Sequence, residues 1–217
     1  MVYGLGTAPV HGYYVNVEMV DGNPSAIRAV NQESDGGVSF RGFTSGRPCV
    51  IEHFPSKMRW LDRQGHPIPD FDQAELLNVS ERAKTLIESI EPRVHQFVPV
   101  DYIDSQDNFI EKRYFWVICN RIDSVDREYT TFVLRKGKAW RAAGDLYDRG
   151  EFGEIPDHID PKIPAKFTFN ISRIGNARVW RDKHMDLGDI LVSNNFSENL
   201  KSSGLTGFKL SEELESV

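Results

Sequence analysis

The sequence predicts an α+β fold: mixed, mostly antiparallel sheet with a few short helices, two of them inside strand–helix–strand units. Three observations carry this. Segments with a period of two, such as "YYVNVEMV" from Tyr13 to Val20, crowd the first third of the chain. Two capped runs of helical period, "LLNVSERAKTLIESIEPRVHQFVPV" (Leu76 to Val100) and "DILVSNNFSENLKSSGLTGFKL" (Asp189 to Leu210), are each flanked by strand-like segments. "RYFWVICNRID" is apolar on both faces, as a strand in the middle of a covered sheet would be.

In the first strand Tyr13, Val15, Val17 and Met19 share one face, with Asn16 and Glu18 opposite. "DGNP" (Asp21 to Pro24) and "SDGG" (Ser34 to Gly37) punctuate turns, and "VSFRGF" and "PCVIEHF" are further strands. The Pro- and Asp-rich connector "DRQGHPIPDFD", Asp62 to Asp72, divides a β-rich region, 1–72, from an α+β region, 73–217. Ser80 caps the first helix, and Ala83, Leu86, Ile87 and Ile90 give it one apolar face, which Pro92 terminates. "VHQFVPVDY", "RYFWVICNRID", "TTFVLR" and "KFTFNIS" follow as strands, with Arg135, Lys136 and Lys138 around Gly137 at a hairpin end. In the closing unit "DILVS" is a strand and Ser193, Asn194 or Asn195 is the cap. Asn195 with Glu198 has capping-box spacing; Phe196 and Leu200 form the apolar face and Gly204 the stop. "LTGFKL" returns as a strand. With the two "VS" pairs aligned, Phe97 falls 17 residues after Ser80 and Phe208 falls 15 after Ser193. That spacing fits a duplication, but any strand–helix–strand unit looks like this and the two share few identities, which favours two independent uses of a common motif.

Composition narrows the function classes. The chain has 217 residues, enough for one sizeable core, and a formal net charge of −6, which speaks against a general nucleic-acid binder. No run approaches the roughly 20 apolar residues of a membrane span, and "MVYGLGTAPVHGYY" does not read as a secretory signal. Two cysteines, Cys49 and Cys119, make no disulfide framework. The expected location is the cytoplasm, with no membrane and no nucleic acid among the partners.

Reactive constellations are sparse. "HMDLGD" places His184, Asp186 and Asp189 together without the spacing of a standard metal motif, and "DHID" (Asp157 to Asp160) has the same defect. Cys119 with His95 or His53 could form a nucleophile–base pair, but a mid-strand thiol among aromatics reads as core. "GLG" at Gly4 to Gly6 lacks the strand before and helix after that define a phosphate loop. No catalytic residue, cofactor or metal is selected. Carboxylate pairs assembled in space, and so a hydrolase, stay open as an alternative, as does a generic adaptor.

Two stretches carry a resemblance. The strand ending in "VS", the short helix and "HQFVPV", Leu77 to Val100, resemble the central signature of a bacterial immunity-protein family found in polymorphic toxin loci. The segment "ILVSNNFSENLKSSGLTGFKL" is similar to that family's closing segment, with "DF" at Asp70–Phe71 and Ile118 to Asp126 between them. The resemblance runs from about Pro69 to Glu212. It implies a non-catalytic protein that binds and neutralises a toxin encoded beside it, and it brings no catalytic residues. A toxin acting in the cytosol, a nuclease above all, fits the expected location.

The insert from Gly144 to Pro164 stands outside the resembling pattern and carries the candidate partner-binding residues: Asp145, Tyr147, Asp148, Glu151, Phe152, Glu154, Asp157 and Asp160. Six carboxylates at every third position face a single Arg149 between Gly144 and Pro161, a formal balance of −5. Gly150, Gly153, Pro156 and Pro161 argue for an extended, partly irregular loop over a long helix. Such a strip suits a toxin with a basic face, or else simply a solvated loop.

Overall fold

A computed structural model describes residues 1–38, 42–61, 67–73, 76–186, 189–213 and 217, without the side chains of Glu154, Glu212 and Glu213. Part of the connector, 62–66, and Leu187–Gly188 of "HMDLGD" therefore lie outside the described residues.

The strands are β1 (Val2–Thr7), β2 (Val17–Met19), β3 (Lys57–Trp60), β4 (Phe71–Asp72), β5 (Asn78–Ser80), β6 (Gln96–Ile103), β7 (Phe109–Val117), β8 (Arg121–Ile122), β9 (Phe132–Arg135), β10 (Ala139–Ala142), β11 (Val179–Asp182), β12 (Ile190–Ser193) and β13 (Phe208–Glu213). The helices are α1 (Glu81–Ile90), α2 (Ala143–Asp148), α3 (Ile171–Ile174) and α4 (Asn194–Ser202). Three sheets form among the described residues. Six strands run in the order β2-β3-β6-β7-β5-β4, five in the order β13-β1-β12-β11-β8, and β9 with β10 makes a separate hairpin. Most pairings are antiparallel; β3 with β6 and β8 with β11 are parallel. The fold is α+β.

The two strand–helix–strand units share one topology. In the first, β5 and β6 flank β7 and are antiparallel to it, so they run parallel to one another around α1. In the second, β12 and β13 flank β1 in the same way around α4. Ser80 caps α1 by accepting the Ala83 amide at 3.2 Å, and Ser193 caps α4 by accepting the Phe196 amide at 3.3 Å. Of the three cap candidates the serine wins, because its short hydroxyl sits one residue before the first turn. Glu198 is engaged by the Asn194 side chain at 2.8 Å, so the Asn195–Glu198 box does not form. Ala83 and Ile87 on α1, and Phe196 and Leu200 on α4, are completely buried in one shared core.

That core is centred on β7, where Phe115, Trp116 and Val117 are buried on both faces. Phe54 packs on Phe115 with ring centroids 5.7 Å apart, and Phe43 on Phe54 at 6.0 Å. Trp116 meets Phe71 edge-on at 6.2 Å and stacks on Phe196 of α4 at 6.4 Å.

The "DF" and "TGF" motifs, about 136 residues apart, meet in a clasp. Asp70 accepts the Ser80 hydroxyl at 2.6 Å, and its other oxygen accepts the Thr206 amide at 3.0 Å and the Thr206 hydroxyl at 3.2 Å. The Phe71 amide donates to the Thr206 carbonyl at 3.0 Å, and the Phe71 and Phe208 rings pack edge-to-face at 5.6 Å. Gly207 between them has φ +83°, and a Cβ there would strike the Phe71 carbonyl oxygen and lie 2.6 Å from the Pro69 Cβ. Only glycine serves there, on both counts.

Several expected strands are absent. The period-two run from Tyr13 contributes only Val17–Met19, because His11 (φ 52°) and Gly12 (φ 83°) fold 10–13 into a tight turn that leaves Tyr13 and Tyr14 exposed. Gly42–Thr44 of "VSFRGF" is a 3-10 turn, and residues 39–41 are outside the described residues. "PCVIEHF" makes a single bridge, Ala29 to Cys49. "KFTFNIS" is not a strand either: Phe169 bridges Val125, and then Asn170 caps α3 by accepting the Arg173 amide at 3.1 Å. Thr168 and Phe169 are both buried although they fall on opposite phases of the alternation, and Ile171 is exposed, so the alternating pattern does not mark one buried face. β1 and β3 were not foreseen.

Two outcomes follow for chemical denaturation. Ile87→Ala and Leu200→Ala should each cost about 2–5 kcal/mol, the range for emptying a packed aliphatic site; a loss below about 0.5 kcal/mol at both would mean the helices are not core elements. Gly207→Ala, which meets both a collision and a left-handed backbone, should destabilise by more than the roughly 1 kcal/mol of an ordinary substitution.

Candidate functional site

The acidic insert grows from the β9–β10 hairpin. Residues 136–138 connect the paired Arg135 and Ala139, and Lys136 (φ 49°) and Gly137 (φ 67°) supply the left-handed backbone of this tight turn. The hairpin is fixed to the body by its aromatic face: Phe132 stacks flat on Phe167 at 3.8 Å, and Trp140 meets the same ring edge-on at 6.3 Å. His184 completes the attachment, its carbonyl accepting the Trp140 amide at 3.1 Å and its Nδ1 donating to the Lys138 carbonyl at 2.9 Å.

α2 starts directly after β10. It ends in a glycine-terminated cap, with the Gly150 amide donating to the Tyr147 carbonyl and the Glu151 amide to the Leu146 carbonyl, both at 2.9 Å, and Gly150 at φ 73°. A 3-10 turn, Phe152–Glu154, follows. The insert is therefore more helical at its start than the glycines and prolines suggest, because the glycine falls where a helix must stop. The chain then returns, so that a Cβ on Gly144 would lie 3.1 Å from the Pro161 carbonyl oxygen and the ends of the loop touch. Underneath, Val133, Ala143, Leu146 and Ile159 form a small separate core, with Ile155 packed against it.

Above this core lie the partner-binding candidates. Asp145, Tyr147, Asp148, Phe152, Asp157 and Asp160 are exposed. Tyr147 and Phe152, 45% and 57% exposed, pack edge-to-face at 5.0 Å and so hold each other outward in place of sinking into the loop. Asp145 and Asp148 are three residues apart on α2 and share its exposed face. Glu151 differs: it is half-buried and pairs with Arg135 at 2.6 Å. Asp160 accepts the Lys162 amide at 2.9 Å.

The residues weighed for chemistry are dispersed. Asp186 pairs with Arg141, while His184 is buried against the hairpin. Among the described residues no three His, Cys, Asp or Glu groups converge as a metal site would require. His95 faces backbone: its Nδ1 accepts the Cys119 amide at 3.3 Å, which places the ring proton on Nε2, 2.9 Å from Glu91. Burial pushes the Cys119 thiol up to about 11 and the Cys49 thiol to about 12, so neither is a thiolate at neutral pH. "GLG" lies within β1, a paired strand rather than a loop.

One feature escaped sequence reasoning: a cavity of about 350 Å³ lined by Arg28, Arg47, Arg121 and the loop around Asp35. Asp35 and Arg121 are 86 residues apart, and no spacing rule connects them.

Taken together, the fold is a capped α+β scaffold that presents surfaces, an acidic one foremost, and gathers no nucleophile–base pair at the positions weighed. The chain belongs to the immunity protein family Imm11, whose sequence model matches residues 17–213. No curated protein is similar enough to the chain to match it.

Proposed function

We propose that this chain is a stoichiometric, non-catalytic inhibitor of a toxin that acts in the cytoplasm, a nuclease, in competition between bacteria, and that it seats the acidic loop of 144–161 in the toxin's basic substrate cleft. Membership of an immunity family supports the inhibitor role. The observation that carries the choice of surface is the exposed Tyr147–Phe152 pair raised among carboxylates on its own small core. An aromatic anchor with a charged rim is the composition of an interface hot spot. A nuclease cleft must attract phosphates, so a strip of carboxylates competes for the same field and speeds encounter.

The roles divide by side chain. Exposed and, among the described residues, without an ion pair, Asp145, Asp148 and Asp157 steer, whereas Glu151 is largely spent on Arg135. Tyr147 and Phe152 bury apolar area on docking and hold the complex. Asp145→Asn, Asp148→Asn and Asp157→Asn combined should lower the association rate with the toxin about tenfold at low salt and flatten its salt dependence. Tyr147→Ala with Phe152→Ala should instead raise the dissociation rate, by about 2 kcal/mol or more in affinity. Both sets should keep the thermal midpoint of the free protein. Stopped-flow association and surface-plasmon dissociation separate the two; an unchanged on-rate and salt slope in the triple variant would reduce the strip to a solvated loop.

A further inference from the structure

The arginine-lined cavity lies apart from the acidic loop, between the 28–38 segment, the turn at 42–47 and β8. Among the described residues nine of the thirteen that line it have polar side chains, and Ala29 and Val38 supply apolar ones. Ordinary small-molecule pockets are mostly apolar, so a hydrophobic ligand finds no match here. Among the described residues three lining guanidiniums stand with two lining carboxylates, Glu33 and Asp35, a local excess of positive charge in a chain of net −6.

Asp35 is the anion the chain supplies itself. It takes Arg121 in a two-point pairing, Nε at 2.7 Å and Nη2 at 3.1 Å, and Arg47 at 3.0 Å. The Arg121 guanidinium beside it holds its carboxyl well below the usual range against the cost of burial, so it stays charged at any working pH. Arg47 also donates to the Asn31 and Glu33 carbonyls, both at 2.9 Å, so the loop is wrapped around it. These two arginines are largely committed.

Arg28 is not. Its Nη1 donates to the Ser25 and Ile27 carbonyls at 2.8 and 3.0 Å, while among the described residues Nε, Nη2 and the neighbouring Gln32 and Ser34 side chains have no internal partner. A fourth cation stands behind the wall. Arg181 sits directly across the β8–β11 pairing from Arg121, 4% exposed, with Nε and Nη1 lacking a hydrogen-bond partner among the described residues. Burial lowers its pKa to about 10, which still leaves it charged at neutral pH. Two unpartnered nitrogens on a buried guanidinium are costly to keep, even with the Asp189 carboxylate favouring its charged form.

We infer that this cavity is a binding site for a small oxyanion group, a carboxylate or a phosphate, taken up by Arg28 with Gln32 and Ser34 beside the Asp35-braced Arg47 and Arg121. The planar fork of arginine matches both groups. The site is independent of the toxin-binding reading, and either can fail alone.

The full chain titrated with inorganic phosphate and, separately, with succinate, at ionic strength held constant with chloride, tests this by amide and arginine Nε–H chemical shifts. A saturable response at one or both anions is expected, with Kd of about millimolar order, confined to the 28–38 segment and Arg47. The two titrations tell which oxyanion source is preferred. Arg28→Gln should weaken binding about tenfold, and Arg93→Gln, at an exposed arginine elsewhere, should leave it intact. No saturable shift with either anion, or equal binding by wild type and Arg28→Gln, would overturn the assignment.

Discussion

The clasp between Asp70–Phe71 and Thr206–Gly207–Phe208 is the contact on which the arrangement of the two units depends. Asp70 ties the cap of α1, through Ser80, to the loop that follows α4, so one buried carboxylate serves both units. Its counterpart at the other end of α1 is Glu91, also buried, whose oxygens accept the Arg178 amide at 2.7 Å and the Val179 amide at 2.9 Å at the start of β11. Two carboxylates thus bracket a ten-residue helix and fasten each end to the other sheet. Such groups are stable only while every partner is present, since a buried charge left unpaired costs several kcal/mol. Apolar packing alone would tolerate sliding of one unit past the other. Fixed hydrogen-bond partners do not.

Rigidity of this kind is what a binding protein needs. Loops held on a firm body lose less freedom when a partner docks, and the affinity gained from contact is not spent on ordering. The acidic loop follows the same logic on a smaller scale. Its inner side chains, Leu146 and Ile159, are held by the hairpin, its ends meet at Gly144 and Pro161, and its outer aromatics brace each other. The result is an exposed apolar pair that cannot collapse inward, ringed by charges that keep it soluble.

Legibility in the sequence followed locality. The caps Ser80 and Ser193, the buried faces of α1 and α4 and the doubly buried β7 depend on neighbours within a few residues, and the periodicities showed them. β1 did not show, because "VYGLGT" owes its strand to β12 and β13 on either side and its glycines carry no pattern. Alternation misled at "KFTFNIS", where Phe167 packs on Phe132 and Trp140 and the backbone makes a single bridge, Phe169 to Val125, in place of a strand. The acidic strip could be read as composition, yet the pairing of Tyr147 with Phe152 and the withdrawal of Glu151 toward Arg135 required coordinates. The family motifs were visible as words; that "DF" and "TGF" touch is a fact of the fold.

Hydrogen exchange of the chain, free and bound to its cognate toxin, tests the central claim most directly, because it reports on scaffold and loop in one measurement. Amides of 143–160 should slow on binding, while those of Phe71 and Thr206 in the clasp should be slow already and unchanged. Slowing elsewhere with 143–160 unaffected would contradict the assignment of the binding surface, and a clasp that exchanges rapidly in the free protein would contradict the rigid scaffold beneath it.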